Sequence, residues 1–174
     1  MDGRQNKQFS IKDIGIIVAL ASILFIQEEL LVFIPNVQFT IFLLVLYAKK
    51  LGFVKTTIII FIHVILDNLF MGSFNPFFTP TMLIGWMFIP IIISLFCKKT
   101  ENPIILAIIA AICGFLYSWV FILPNVFVYG INPIAYLASD IIFELILAGC
   151  GFITVLLLYK PCSIIFEKFE INGN

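Results

Sequence analysis

Six side chains in this sequence could do chemistry where chemistry is costly: Glu28, Glu29, His63, Asp67, Asp140 and Glu144 all fall within or at the ends of long apolar runs. An ionised carboxylate at the middle of a bilayer costs about 2.5–3.5 kcal/mol on insertion scales, so such residues call for a cavity, partners or protonation. His63 and Asp67 are four residues apart, as are Asp140 and Glu144, and each pair therefore shares one helix face. Glu28 and Glu29 are neighbours about 100° apart on a helix, so at most one points squarely at any single site. The chemistry this set suits is binding in a polar, acidic pocket. Read as structure alone, His63 and Asp67 would be an interhelical hydrogen-bonded pair, and Asp140 and Glu144 would be exposed at the membrane interface.

The elements that must position them follow from composition. Of 174 residues, 62% are hydrophobic and 11% charged, and the mean hydropathy is +1.16. A soluble domain keeps about 25% charged residues, so lipid must solvate much of this chain. Apolar runs cover roughly 14–34, 36–48, 53–71, 80–97, 103–123 and 137–159, separated by Pro, Gly, Asn and Lys clusters. The second run is short. It must borrow flanking residues, thin the bilayer or pack inside the bundle. The first run is not read as a cleaved leader, because Gln27-Glu28-Glu29 follows it and no small-residue cleavage site appears.

Charge supplies the topology. Arg4, Lys7, Lys12, Lys49, Lys50, Lys55, Lys98, Lys99, Lys160 and Lys168 are all ten basic residues, and a six-helix chain places every one on one side. The positive-inside rule makes that side cytoplasmic. The expectation is an all-α membrane protein, a six-transmembrane-helix bundle with both termini cytoplasmic. Residues 1–12 form a polar cytoplasmic tail, 13–160 the membrane domain and 161–174 a short cytoplasmic tail. On this topology all six ionisable side chains lie in the outer half of the bilayer. The outer connections carry no charge and many Phe, Tyr, Asn, Gly and Pro residues. They read either as a cover over the pocket or as an interfacial aromatic belt.

Trp86, Tyr117 and Trp119 fall at the same outer depth and could stack on a ring or a cation. Ala107, Ala111, Gly114 and Ser118 give the fifth run a small-residue face, and Ala148, Gly149 and Gly151 give the sixth another, so these two helices are expected to pack closely. The four cysteines have no metal or redox spacing and read as packing residues. No phosphate-binding loop is present, because Gly52-Phe53-Val54-Lys55-Thr56 lacks the Gly-Lys step. No hydrolase or zinc motif stands in the sequence. It implies no catalytic site, metal site or cofactor, and no nucleic-acid partner.

Certain stretches resemble the S components of energy-coupling factor (ECF) transporters: Glu28-Glu29 through Ile34-Pro35-Asn36-Val37-Gln38, Lys49-Lys50-Leu51-Gly52-Phe53, and His63 through Gly72 followed by Asn75-Pro76. The resemblance covers nearly the whole chain as six helices of about this length. It implies a membrane subunit in the bacterial cytoplasmic membrane that captures a small water-soluble vitamin or related micronutrient. Its partners would be a transmembrane coupling protein and two ATPase subunits. It also implies a lid in the first outer loop, with ligand contacts from the outer loops and helices four to six. Carried onto this sequence, these contacts fall on Asn36, Gln38, Asn75, Trp86, Trp119, Asn125 and Asp140 or Glu144. They add to Glu28, His63 and Asp67 from the reading above. Where the family often has Ala-x-x-x-Ala on helix one for docking, this chain has Gly15-Ile16-Ile17-Val18-Ala19 with Ser22 beside it. The sign of the pocket implies a neutral or cationic, partly aromatic ligand. A non-transport scaffold of the MreD type, a cell-shape or envelope-assembly subunit, is the other class of protein compatible with these features.

Overall fold

The computed structural model describes residues 9–72 and 74–171. Among them are seven helices and no strand: α1 Ile11–Leu31, α2 Thr40–Lys50, α3 Gly52–Phe70, α4 Phe78–Phe96, α5 Pro103–Val120, α6 Ile122–Phe127 and α7 Pro133–Ile171. Five stretches are long and apolar enough to cross a membrane: α1, α3, α4, α5 continued through α6, and α7 to Lys168. The chain is thus an all-helical, multi-pass membrane protein.

Local sequence sets the helix ends. Ser10 and Asp13 form a reciprocal capping box at the start of α1, the Asp13 amide donating to Ser10 Oγ at 3.1 Å and the Ser10 amide to Asp13 Oδ2 at 3.0 Å. Asn102 caps α5 by accepting from the Ile104 amide at 2.9 Å, with Pro103 in the first turn. Between α2 and α3 the chain reverses through Leu51 and Gly52, whose φ of +80° is open to glycine without steric cost.

The short second run proves to be the centre of the bundle. In α2, Thr40, Ile41, Phe42, Leu44, Val45, Leu46, Tyr47 and Ala48 are buried, and the helix touches α1, α3, α4, α5 and α7. A helix apolar on every face is stable only when surrounded. At 11 residues it is roughly 16 Å long, and residues 32–39 before it are irregular chain.

α5 and α7 pack together as their small residues predict. A Cβ on Gly114 would stand 2.9 Å from Ala148 Cα, so only glycine allows this approach. Gly151 turns elsewhere and receives Ile41 of α2.

The lysines gather at one end of the bundle. Lys49, almost wholly buried, donates to the carbonyls of Cys97 at 2.9 Å and Lys98 at 3.0 Å and pairs with Glu101 at 3.2 Å. Lys50 pairs with Glu167 at 2.7 Å and Lys55 with Asp13 at 2.6 Å. Arg4 and Lys7 lie outside the described residues. Past the expected boundary at 160, α7 runs on through Pro161, Ser163 is buried, and the Phe166 ring meets Tyr47 with centroids 6.2 Å apart. Phe166 and Glu167 thus pack at the lysine-bearing end of α2, and residues 172–174 lie outside the described set.

Partial burial alone would raise the Glu101 carboxyl. Hydrogen bonds from Tyr159 and Lys49, with the charges of Lys49 and Lys50, outweigh it and hold the group below the usual glutamate range. A lowered acid stabilises the fold at neutral pH and loses that contribution as pH falls through and below its folded value. Lys49→Met leaves the two carbonyls without their donor, at a cost of about 1–3 kcal/mol. Thermal melting in detergent should show a lower Tm for this variant. Its Tm should also fall less than the wild type's between neutral and acid pH. An unchanged acid dependence would rule out this clamp.

Candidate functional site

At the end opposite the lysines the helices part around a cavity of about 670 Å³, within the range of small-molecule sites. α1 contributes Glu28 and Glu29, and α3 contributes Asp67 and Asn68. α4 adds Phe78 and Met82, and the α5–α6 stretch adds Tyr117 and Phe121. The irregular segment after α1, including Asn36 and Gln38, forms one wall, and Asn75 lies on the rim.

That segment is tied down at several points. Gln27 donates to Thr40 Oγ1 at 2.8 Å and accepts the Phe39 amide at 2.7 Å. Thr40 donates to Glu28 Oε2 at 3.1 Å. The Gln38 amide is satisfied when its nitrogen faces Glu28, 2.9 Å from Oε1. Asn36 adopts φ 60°, a left-handed conformation that asparagine tolerates, and its amide reaches the Phe143 carbonyl of α7 at 3.0 Å. His63, wholly buried, places Nε2 3.1 Å from Glu28 Oε2, off the line of a hydrogen bond. Glu28 is thus the node to which the segment after α1 is tied.

Aromatic rings build the other wall. Phe78 lies near-parallel to Phe121, with centroids 6.0 Å apart, and to Tyr129, at 5.5 Å. Tyr117 lies against Trp86 with centroids 3.8 Å apart. Asn75 shapes the entry to α4 by accepting from the Phe77 and Phe78 amides, and its own amide donates to the Tyr129 hydroxyl at 3.2 Å.

Of the expected site residues, Glu28, Asn36, Gln38, Asp67 and Asn75 line the cavity. His63 and Trp86 stand one layer behind it, against Glu28 and Tyr117. Trp119, Asn125, Asp140 and Glu144 do not line it. Glu144 is wholly buried, and its Oε2 accepts from Trp119 Nε1 at 3.1 Å, while the Trp119 ring is half exposed on the bundle's exterior. Asn125 donates to the Phe121 carbonyl at 2.7 Å. The physical reason is azimuth: α7 is rotated by its Ala148 and Gly151 contacts, which leaves Glu144 facing α5 rather than the cavity.

Glu29 corrects the sequence reading in the other direction. Two adjacent glutamates cannot point at one spot, yet both line a cavity this wide. Asn68, Phe78, Met82 and Phe121 were not singled out, because nothing in the local pattern separates them from ordinary packing residues. Gly15, Ala19 and Ser22 lie on the outer side of α1; a Cβ on Gly15 would meet nothing within 4 Å. Among the described residues, no group of three His, Cys, Asp or Glu side chains could hold a metal ion.

Gly85 controls the aromatic wall. A Cβ there would stand 2.6 Å from Tyr117 Cδ2, so Gly85→Ala must displace the ring from Trp86. The expected result is a weakened near-ultraviolet circular-dichroism signal and about 1–3 kcal/mol of lost stability. An unaltered spectrum would show that the stack does not depend on this glycine.

Fold and cavity together define a class: a multi-pass helical membrane protein with a solute-sized acidic cavity at one end. Comparison of the chain with protein families, with curated proteins and with solved structures finds no match.

Proposed function

We propose that this chain is the substrate-capturing subunit of an ECF-type importer for a small water-soluble vitamin or related micronutrient. It crosses the bacterial cytoplasmic membrane six times with both termini inside. A separate transmembrane coupling protein and two ATPase subunits supply the energy, and this chain performs no catalysis. The observation that carries the reading is the position of the cavity. It lies at the end of the bundle away from the lysines, which the positive-inside rule turns toward the outside. A scaffold of the MreD type would leave the cavity, and the network that closes residues 32–39 over it, without a role.

Native mass spectrometry of the purified protein is the direct test. A bound small solute at near-unit occupancy is expected, and a solute-free protein that binds no member of a micronutrient panel would overturn the reading. Orientation is tested separately by cysteine accessibility in sealed cells. Labels should reach positions 50 and 99 only from inside and positions 75 and 130 only from outside; labelling of position 99 from outside would exclude the topology.

A further inference from the structure

The cavity carries an unbalanced charge. Glu28, Glu29 and Asp67 line it, and no Lys or Arg is among its lining residues. The three acids are not equivalent. Glu28 is engaged by Thr40 and Gln38 in closing the first outer segment. Glu29 and Asp67 make no hydrogen bond or ion pair among the described residues, and Asp67 lies within electrostatic reach of both glutamates and of His63. Behind them His63 is wholly buried with neither ring nitrogen hydrogen-bonded, its Nε2 directed at Glu28. Even protonated, one imidazolium offsets only one of the three carboxylates.

Resting on the solute-capture reading above, we propose that the cavity selects an organic cation. Its charged nitrogen sits between Glu29 and Asp67, and its flat or apolar body lies against Phe78, Tyr117 and Phe121. Like charges repel more strongly in a low-dielectric cavity than in water, so carboxylates with no Lys or Arg among the lining residues favour a cation that relieves the repulsion. An anion adds to the repulsion, and a neutral solute leaves it in place. Aromatic faces add attraction for a cation and none for an anion. Glu28 is assigned to the closing segment and Glu29 with Asp67 to charge recognition, a division that the sequence spacing does not reveal.

The test compares benzylamine, benzyl alcohol and benzoate, which share a ring and differ in charge, by calorimetric titration of the full-length protein in detergent. Benzylamine should bind at least about tenfold more tightly than either other probe. Asp67→Asn and Glu29→Gln should each weaken it by about tenfold or more, while the ligand-free Tm holds or rises because repulsion is removed. A merely structural carboxylate would lower both Tm and affinity, and that result overturns the assignment. Equal or tighter binding of benzyl alcohol or benzoate also overturns the proposal, as does binding of none of the three. In each case, retention of a solute in native mass spectra leaves the capture reading standing, and a solute-free protein with no ligand in the panel ends both.

Discussion

Reconstituted alone in sealed liposomes, the chain is expected to give no concentrative uptake; on the importer reading proposed above, adding a transmembrane coupling protein with two ATPase subunits should switch uptake on. The physical reason is that binding alone equilibrates a solute and cannot move it uphill, and the sequence holds no phosphate-binding loop; Gly52–Thr56 lacks the Gly-Lys step. Gly15→Leu and Ala19→Leu sharpen the test. Both positions face outward on α1, and a Cβ on Gly15 meets nothing within 4 Å, so the larger side chains leave the fold undisturbed. If this face meets the coupling protein, these variants lose assembly and uptake yet keep their affinity for the solute. Robust concentrative uptake by the wild-type chain alone would sink the whole assignment.

Gly114→Leu is expected to cost the protein its fold, and Gly114→Ala to cost about 1–3 kcal/mol. The added Cβ would stand 2.9 Å from Ala148 Cα and 3.2 Å from Ala148 N. Both obstacles are helix backbone, which cannot rotate aside as a side-chain tip can. Relief requires α5 and α7 to separate along their whole contact, and α7 is also seated on α2 through Gly151 and Ile41. Gly149→Leu is the control, since a Cβ there meets nothing within 4 Å. Melting curves and the monodisperse fraction in detergent should show Gly114 variants failing and the Gly149 variant close to wild type. Equal behaviour of the two positions would mean that the α5–α7 seam is looser than its geometry indicates.

Much of this was legible before any coordinates. Runs at 53–71 and 80–97 became α3, Gly52–Phe70, and α4, Phe78–Phe96. The reason is that a bilayer dictates both the length and the polarity of a spanning helix, and the breakers between runs are local. The spacing of small residues likewise announced the α5–α7 contact at Gly114. The break at Ile34-Pro35-Asn36 between the first two runs widened into irregular chain over 32–39, with Asn36 left-handed.

Depth and azimuth divide what sequence and tertiary structure each decided. Position along an apolar run fixed how far along its helix each of Glu28, Glu29, His63, Asp67, Asp140 and Glu144 lies, because helical rise is constant. It could not fix which way each helix is turned about its axis, since the runs are apolar on nearly every face and carry little amphipathic signal. Tertiary packing sets that rotation, at Gly114 and Gly151 through backbone and side-chain contact. It turned Glu29 and Asp67 into the cavity and placed Glu28 under the closing segment. It also directed Glu144 to Trp119, away from the site it had been expected to join. The same cause put α2 at the centre and laid Phe166 and Glu167 against its end: an all-apolar helix gives no direction of its own, so its neighbours choose where it is buried.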